Sequence, residues 1–255
     1  MNRNDFEIEI CAGNIQSVIE ADKGGADRVE LCDNLIEGGT TPSGGTIAMA
    51  KKVSNIDIFP IIRLRGGNFV YDELELRIML QDIKEAISAG ADGVVIGALN
   101  KDGSVNIDQC QRMIEAANGL PVTFHRAFDQ CKEPFEALDT LMSLGISRLL
   151  TSGQKFTVTE GAGLITRLHE MTGDKLTIMP GGGINEHNIV ELAEKTGVKS
   201  FHASLRDVCS QEPCFWRDEV KFNGTNDLPE NQFKTSSKKR IRCLIEKLEK
   251  EVNRK

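Results

Sequence analysis

The sequence predicts an α/β protein built as a (β/α)8 TIM barrel, and two observations predict this class. Short β-rich runs alternate with amphipathic helical patterns, an order typical of a parallel sheet with right-handed crossovers. Eight such repeats precede residue 205, the number that closes a barrel. The alternative is an open doubly wound sheet. Neither GxGxxG nor GxxxxGK[ST] occurs in the chain, so the nucleotide-binding members of that class lose their usual support.

The predicted strands and helices follow each other at regular intervals. The strands begin near Phe6, Asp27, Asp57, Asp92, Pro121, Ser147, Lys175 and Lys199. The helices between them cover 15–21, 46–53, 72–89, 108–117, 134–144, 157–171 and 186–196. Three of these helices are followed by a glycine and then a new strand, as at Gly90, Gly145 and Gly197. A glycine at this position is typical of a left-handed helix end, which supports the assigned boundaries.

The regular repeat stops after Ser204, so we assign a barrel core to 1–204 and a C-terminal extension of the same domain to 205–255. Residues 205–235 show no clear periodicity and are predicted to be irregular, covering one end of the barrel. The last helix is amphipathic, with an apolar stripe formed by Ile241, Leu244, Ile245, Leu248 and Val252. This stripe is expected to pack either on the helices of its own barrel or on a second subunit, and the sequence does not decide between them.

Composition excludes several classes of function. The chain has 31 Lys and Arg against 38 Asp and Glu, a net charge of -7, which gives no general attraction to the phosphate backbone of nucleic acids. Its apolar runs are far shorter than the roughly 18 to 20 residues that cross a bilayer, and no signal peptide is recognised. Seven cysteines without a CxxC pair predict reduced thiols. We therefore expect a cytoplasmic protein that binds neither nucleic acid nor membrane.

Strict alternation along each strand predicts which side chains point into the barrel. The apolar residues of each strand face the helices, and the residues between them face inward. The inward polar residues of the first two strands are Glu9, Cys11, Glu30 and Cys32, and those of strands three, five and eight are Arg63, Arg65, Thr123, His125, Ser200 and His202. They cluster toward the carboxyl ends of the strands, the face where barrel enzymes build their active sites.

Charged groups inside a barrel need partners, so we predict that Glu9 and Glu30 pair with Arg63 and Arg65. A purely structural ion-pair network would satisfy the same requirement. Because a barrel interior can be filled with Val, Ile and Leu, repeated inward charge at one end favours a ligand site. The candidate catalytic residues are Glu9, Glu30, Arg63, Arg65, His125, Asp129 and His202.

A glycine run follows the seventh predicted strand at Gly181, Gly182 and Gly183, and Ser204 follows the eighth. Many barrels bind phosphate through loop amides at these two places, so the four residues are a candidate site for a small anionic ligand. A tight strand-to-helix turn with Asn185 as N-cap explains the same glycines without a ligand. Both interpretations stay open.

Several motifs occur together in the expected order, and through them the chain closely resembles the CutC copper homeostasis family over about residues 7–204. The motifs are Glu30-Leu31-Cys32, the loop at 38–45, Arg63-Leu64-Arg65-Gly66-Gly67, His125-Arg126-Ala127-Phe128-Asp129, Leu150-Thr151-Ser152-Gly153 and Pro180-Gly181-Gly182-Gly183. The resemblance implies a cytoplasmic barrel associated with copper tolerance whose members tend to form homo-oligomers. It also places Cys11 and Cys32 at the matching strand ends.

Three functions follow as hypotheses. Cu(I) favours soft thiolates, so Cys11 and Cys32 are candidate ligands, although the chain has no CxxC, MxxM or His-rich tract and buried cysteine is common in ordinary cores. An enzyme acting on a small anionic or phosphorylated substrate would use the arginines to hold the anion and His125 or Glu30 to transfer protons. A scaffold without chemistry is the third. The spacing of Cys209 and Cys214 is predicted to be accidental.

Overall fold

The computed structural model describes residues 1–210, 215, 217, 219–220, 228–229 and 231–251. Eight parallel strands alternate with helices through the first part of this chain. The strands are β1 (Glu7–Ala12), β2 (Arg28–Leu31), β3 (Asp57–Pro60), β4 (Val94–Ile96), β5 (Val122–Phe124), β6 (Arg148–Thr151), β7 (Thr177–Pro180) and β8 (Ser200–Ala203). The helices are α1 (Ile15–Gly24), α2 (Gly44–Val53), α3 (Glu73–Ser88), α4 (Ile107–Ala116), α5 (Pro134–Ser143), α6 (Val158–Thr172), α7 (Ile189–Thr196) and α8 (Lys238–Glu251).

The strands form a barrel from two four-stranded arcs, with the orders β3-β2-β1-β8 and β4-β5-β6-β7. Two isolated parallel bridges close the ring. Ile61, just after β3, pairs with Val95 of β4, and Gly181, just after β7, pairs with His202 of β8. The closed (β/α)8 barrel predicted from the sequence is confirmed, and the open sheet is excluded.

Local sequence explains where the helices begin and end. The side chains of Asn14, Ser43 and Asp72 each accept a hydrogen bond from the backbone N–H three residues later, which caps α1, α2 and α3. Gly197 ends α7 in the left-handed conformation, as predicted. That helix begins at Ile189 rather than at residue 186, because Asn188 donates to the carbonyl of Gly183 and accepts from the N–H of Asn185, which ties residues 185–188 to the glycine loop.

The core lies between the strands and the helices. Ile8, Ile10, Val29, Ile58 and Ile62 belong to this layer and are fully buried. A smaller apolar layer fills the barrel interior and consists of Cys32, Phe59, Ile61 and Val95. The alternation along the strands therefore separates an apolar outer face from a mixed interior, as the sequence pattern predicts.

The C-terminal extension is more regular than predicted. Residues 206–210 and 232–236 form an antiparallel hairpin, β9 (Arg206–Ser210) and β10 (Gln232–Ser236). Neither strand carries the alternating apolar pattern that reveals a half-buried strand, because β9 has no buried residue and the buried residues of β10 are the adjacent polar residues Thr235 and Ser236. Val252 and Cys214, which entered two of the predictions above, lie outside the described residues.

Helix α8 packs against α1 and α7 of its own chain and completes the ring of helices around the barrel. Ile241, Leu244 and Leu248 are fully buried there. The close approach depends on Gly24, because an added Cβ would lie 2.8 Å from Cγ2 of Ile241. Among the described residues, no helix has both the length and the apolar character needed to span a bilayer.

Two glycines of α6 predict opposite effects of the same substitution. An added Cβ at Gly161 would overlap the carbonyl oxygen of Ser152, where the helix touches the loop after β6, whereas Gly163 has open space. We expect Gly161→Ala to destabilise the protein by about 1–3 kcal/mol and the matched control Gly163→Ala to stabilise it by up to about 1 kcal/mol. Urea unfolding of both variants measures the difference, and equal stability of the two would contradict the close packing.

Candidate functional site

A pocket of about 460 Å³ opens at the carboxyl ends of the barrel strands. Its lining comes from both arcs and from the loops above them. The lining residues are Cys11, Glu30, Leu35, Glu37, Gly38, Ile61, Arg63, Phe69, His125, Arg126, Asp129, Gln130, Leu150, Gly182, Gly183, Ile184, His202, Ala203, Ser204 and Arg206. Most of the residues that sequence patterns selected therefore meet in one place.

Cys11, Glu30 and His202 form the floor of the pocket on the adjacent strands β8, β1 and β2, and Cys32 lies buried beside them, outside the lining. Cys11 and Glu30 are register partners on β1 and β2, and Cys32 follows at the end of β2. One ligand atom from each of these three residues lies within 4.8 Å of the others. His202 approaches from β8, with Nε2 3.6 Å from Oε2 of Glu30. Cys11 is partly exposed to the pocket, while Glu30, Cys32 and His202 are buried.

Glu9 lies beneath this floor and is fully buried. Its Oε1 is 2.7 Å from Nδ1 of His202, and its Oε2 is 2.5 Å from Nε of Arg28. The predicted pairing of Glu9 and Glu30 with Arg63 and Arg65 is wrong. Arg28 is the register partner of Glu9, so it reaches the carboxylate from the adjacent strand before any residue of β3 can. Alternation along β2 places Arg28 on the same face as Glu30, a signal that sequence reasoning missed.

Burial and neighbouring charges give the carboxyl groups of Glu9 and Glu30 very different pKa values. Burial alone would raise the pKa of Glu9, but Arg28 and His202 together lower it to about 2. Burial raises the pKa of Glu30 to about 8, and neighbouring Cys11 and Glu9 add to the increase against the opposing effect of His202. At neutral pH Glu9 is therefore ionised and Glu30 is largely protonated.

The two thiols and the imidazole of His202 are also perturbed. A hydrogen bond with Cys32 lowers the pKa of Cys11 well below its usual value against the cost of burial, and His202 adds to the decrease. The same bond and burial raise the pKa of Cys32. Burial disfavours charged His202, but Glu30, Cys11 and Glu9 outweigh it and raise the pKa of His202 well above its usual value. The floor thus favours a thiolate at Cys11 facing an imidazolium at His202.

Arg63 forms one wall of the pocket and is 5% exposed. Its guanidinium donates to the carbonyls of Glu37, Gly39 and Gly67 at 2.7–3.0 Å, which holds the loops after β2 and β3. In the part of the chain that the structure describes, no carboxylate forms an ion pair with Arg63. Its positive charge is therefore available to a ligand.

Arg65 was predicted to face inward beside Arg63, and this is wrong. It pairs with Glu75 at the start of α3 and donates to the carbonyls of Asn68 and Val70, outside the pocket lining. The reason is that β3 ends at Pro60 and its last bridge is made by Ile61. Beyond Arg63 the chain bends into a loop, where the alternation of an extended strand no longer applies.

His125, at the end of β5, faces the pocket from the second arc. The N–H of Ala127 donates to its Nδ1 at 3.1 Å, and the ring centroid lies 5.0 Å from that of Phe69. Its Nε2 is buried and has no hydrogen-bond partner among the described residues. Burial, aided by the charge of Arg63, lowers the pKa of His125 to about 3, so the ring is neutral at physiological pH.

Asp129 lies at the rim of the pocket, and its carboxylate is already hydrogen-bonded to the loop after β6. Its carboxylate accepts from the hydroxyls of Thr151 and Ser152 and from the N–H groups of Ser152 and Gln154. Arg126 completes the set with an ion pair of 2.7 Å. These contacts give Asp129 the geometry of a residue that holds the loop after β6 in place.

The glycine loop and the segment after β8 form the opposite wall. Gly182 and Gly183 have positive φ values of 106° and 94°, which glycine adopts without strain. Both line the pocket with Ser204, whereas Gly181 packs against Leu150 and His202 beneath.

Arg206 also lines this wall and forms no ion pair with any residue that the structure describes. Sequence reasoning missed Arg206 because it lies in the segment without periodicity.

Comparisons with known proteins agree on one family. The profile described as CutC family matches residues 6–207. A CutC family protein of Chromobacterium violaceum is 45% identical over 96% of this chain and 99% of its own length. The Homo sapiens protein named copper homeostasis protein cutC homolog is 40% identical over 94% of this chain and 88% of its own length.

Solved structures agree with the fold. The crystal structure of the protein named CutC from Streptococcus agalactiae has a TM-score of 0.75 at 37% identity and covers 78% of this chain and 98% of that one. Thiamine phosphate pyrophosphorylase from Pyrococcus furiosus has a TM-score of 0.57 at 16% identity and covers 96% and 98% of the two chains. The second likeness supports the barrel fold alone.

The contrast between the two buried carboxyl groups predicts different effects of the same substitution. Glu9→Gln leaves Arg28 and His202 without their counter-charge, so we expect a loss of about 3–5 kcal/mol in the free energy of unfolding at pH 7. Glu30→Gln replaces a carboxyl that must take up a proton on folding at this pH by a neutral group of the same shape, so we expect no loss of stability and a gain instead. Denaturant unfolding of both variants provides the measurement.

The same pair gives a pH dependence with a defined sign. The folded protein keeps the Glu30 proton up to about pH 8, whereas the unfolded chain releases it near 4.5, so the wild type loses stability relative to Glu30→Gln as the pH rises between these values. A constant difference between wild type and Glu30→Gln from pH 5 to pH 8 would contradict the raised pKa.

Proposed function

The chain belongs to the CutC family, and we propose that it serves copper homeostasis by binding Cu(I) through Cys11 and Cys32. The observation that carries the proposal is the convergence of two thiols and the Glu30 carboxyl within 4.8 Å, with Cys11 and Glu30 lining the pocket. Cu(I) prefers soft sulfur ligands and accepts low coordination numbers. Two cysteines on adjacent strands supply this ligand set without a CxxC motif.

The surroundings of the two thiols support the proposal. Cys11 is partly exposed to the pocket, so an ion entering from solvent meets this sulfur first. Its lowered pKa favours the thiolate that binds metal, whereas the proton of Cys32 must leave when the second bond forms. Glu30 and His202 lie beside the thiols, and the positive charge of His202 balances the negative charge of the thiolates.

A reducing, cytoplasmic setting is part of the proposal. The six cysteines that the structure describes all carry free thiols, and Cys11 and Cys32 must be reduced to bind Cu(I).

A homo-oligomer is also proposed, supported by apolar side chains exposed on neighbouring helices α2 and α3, namely Met49, Leu74 and Ile78. Light scattering of the purified protein tests it.

A second candidate function is an enzyme that acts on a small anionic or phosphorylated substrate in the same pocket. The observation in its favour is that Arg63 and Arg206 line the pocket without a carboxylate partner among the described residues. The sequence predicts the anion beside Arg63 and Arg65. Because Arg65 lies outside the pocket lining, we propose Arg63 and Arg206 as the pair that holds the anion, with Gly182 and Gly183 on the same wall as Arg206.

Copper binding predicts a specific pattern of cysteine effects. We expect Cys11→Ser and Cys32→Ser each to weaken Cu(I) binding by more than the about 10- to 100-fold that loss of an outer-shell partner costs, because each removes one of two direct ligands. The measurement is a titration under reducing conditions against a chromophoric Cu(I) chelator.

Cys243→Ser is the matched control, since this cysteine is exposed on α8 away from the pocket, and it should bind as the wild type does. Unchanged affinity in the Cys11→Ser, Cys32→Ser double variant would end the copper proposal.

The anion candidate predicts a thermal shift that depends on Arg206. A ligand that binds only the folded protein, present at ten times its dissociation constant, stabilises it by about 1.4 kcal/mol, or roughly 3–6 °C in Tm. We expect inorganic phosphate or a small phosphate monoester to produce this shift in the wild type and in Arg77→Ala, an exposed arginine of α3, but not in Arg206→Ala. The absence of any shift in the wild type at millimolar ligand would contradict the candidate.

A further inference from the structure

His125 is a buried polar group of the pocket, and neither the copper proposal nor the arginines of the anion candidate account for its Nε2. It is 3% exposed, lines the pocket and keeps Nε2 without a hydrogen-bond partner among the described residues. More than nine in ten buried polar groups in native proteins have a partner, and leaving a donor unpaired costs about 1–3 kcal/mol. His125 lines the pocket, so a ligand bound there is the candidate partner for its buried Nε2.

The hydrogen bond at the other ring nitrogen determines what Nε2 can do. The backbone N–H of Ala127 donates to Nδ1, so Nδ1 must carry a lone pair rather than a proton. A neutral imidazole with an accepting Nδ1 has its proton on Nε2. Burial and the charge of Arg63 keep this ring neutral. The free Nε2 is consequently a hydrogen-bond donor, and its partner must be an acceptor.

Packing fixes the direction of this donor. The ring of Phe69 lies against the imidazole, with 5.0 Å between the ring centroids. Gly97, just after β4, packs against the imidazole so closely that an added Cβ would overlap Cε1 of His125. The bond to Ala127 removes the remaining freedom to flip. The donor is therefore held in place before a ligand arrives, which limits the entropy lost on binding.

We propose that His125, as the neutral Nε2–H tautomer, donates a hydrogen bond to an oxygen atom of a small organic oxyanion whose negative charge is held by Arg63 and Arg206. This inference rests on the second candidate function. The other donors and charges on these walls select the same ligand chemistry, because a guanidinium has no acceptor to offer and favours carboxylate or phosphate. A neutral imidazole polarises a ligand oxygen without transferring its proton, so a carbonyl or carboxylate oxygen fits this position.

Two substitutions separate the donor from the structural role of the ring. In His125→Asn the amide oxygen can take the place of Nδ1 and keep the bond from Ala127, but no donor reaches the position of Nε2. In His125→Gln the longer side chain carries its N–H₂ group close to that position. His169→Gln is the matched control, because this histidine lies on the last turn of α6 outside the pocket lining.

The experiment titrates 2-phosphoglycolate, which joins a phosphate to a carboxylate, into each variant by calorimetry. We expect His125→Asn to bind at least about tenfold more weakly than the wild type, the loss of one hydrogen bond to a charged group. His125→Gln should retain most of the affinity, and His169→Gln should match the wild type.

Nitrogen-15 NMR of the wild type gives a readout that does not depend on any variant folding. The chain has four histidines, so the His125 ring can be assigned. We expect a neutral ring protonated at Nε2, whose signal shifts on addition of 2-phosphoglycolate. A proton on Nδ1 would overturn the inference, as would wild-type binding by His125→Asn. If Arg206→Ala abolishes binding while His125→Asn does not, only the role of His125 fails; no binding to the wild type overturns the anion site and this inference together.

Discussion

The carboxylate of Glu9, held between Arg28 and His202, is the interaction on which the site depends. It is fully buried, and its two oxygens contact the two cationic groups at 2.5 and 2.7 Å. Without this anion, the imidazolium of His202 would lose the partner that fixes its orientation. His202 in turn lies against Glu30 and Cys11 and lowers the pKa of both, although burial dominates at Glu30 and the hydrogen bond with Cys32 dominates at Cys11. One buried ion pair therefore links the interior of the barrel to the chemistry at its open end.

This arrangement also determines what the pocket offers to a ligand. Because Arg28 and His202 balance the acidic groups, Arg63 is left without a carboxylate among the described residues and binds three backbone carbonyls instead. The pocket thus has a floor of sulfur and carboxyl groups and walls with uncompensated positive charge. A soft cation and an oxyanion would occupy different parts of it. The two functions proposed for the pocket need not exclude each other on grounds of space.

The sequence predicts most of the fold because the barrel is built from local repeats with clear periodicity. The inward positions of Glu30, His125 and His202 follow from alternation, which holds as long as the strand stays extended. The inward orientation predicted for Arg65 is wrong because β3 ends at Pro60, before this residue. Pairing inside the barrel could not be predicted, because it depends on the register that brings Arg28 opposite Glu9. Arg206 could not be found because its hairpin has no alternating apolar pattern.

The barrel has two seams, the places where one four-stranded arc meets the other, and the pocket lies across both arcs. Each seam is a single parallel bridge, Ile61 to Val95 and Gly181 to His202, whereas the strands within each arc pair along most of their length. The pocket takes Arg63 and His202 from one arc and His125 and Gly182 from the other. A ligand that contacts residues of both arcs would stabilise the contact between the arcs, where the strands are joined by single bridges. Amide hydrogen exchange at the seams, such as the N–H of Ile62 on the carbonyl of Val95, would then slow on occupancy more than exchange inside either arc.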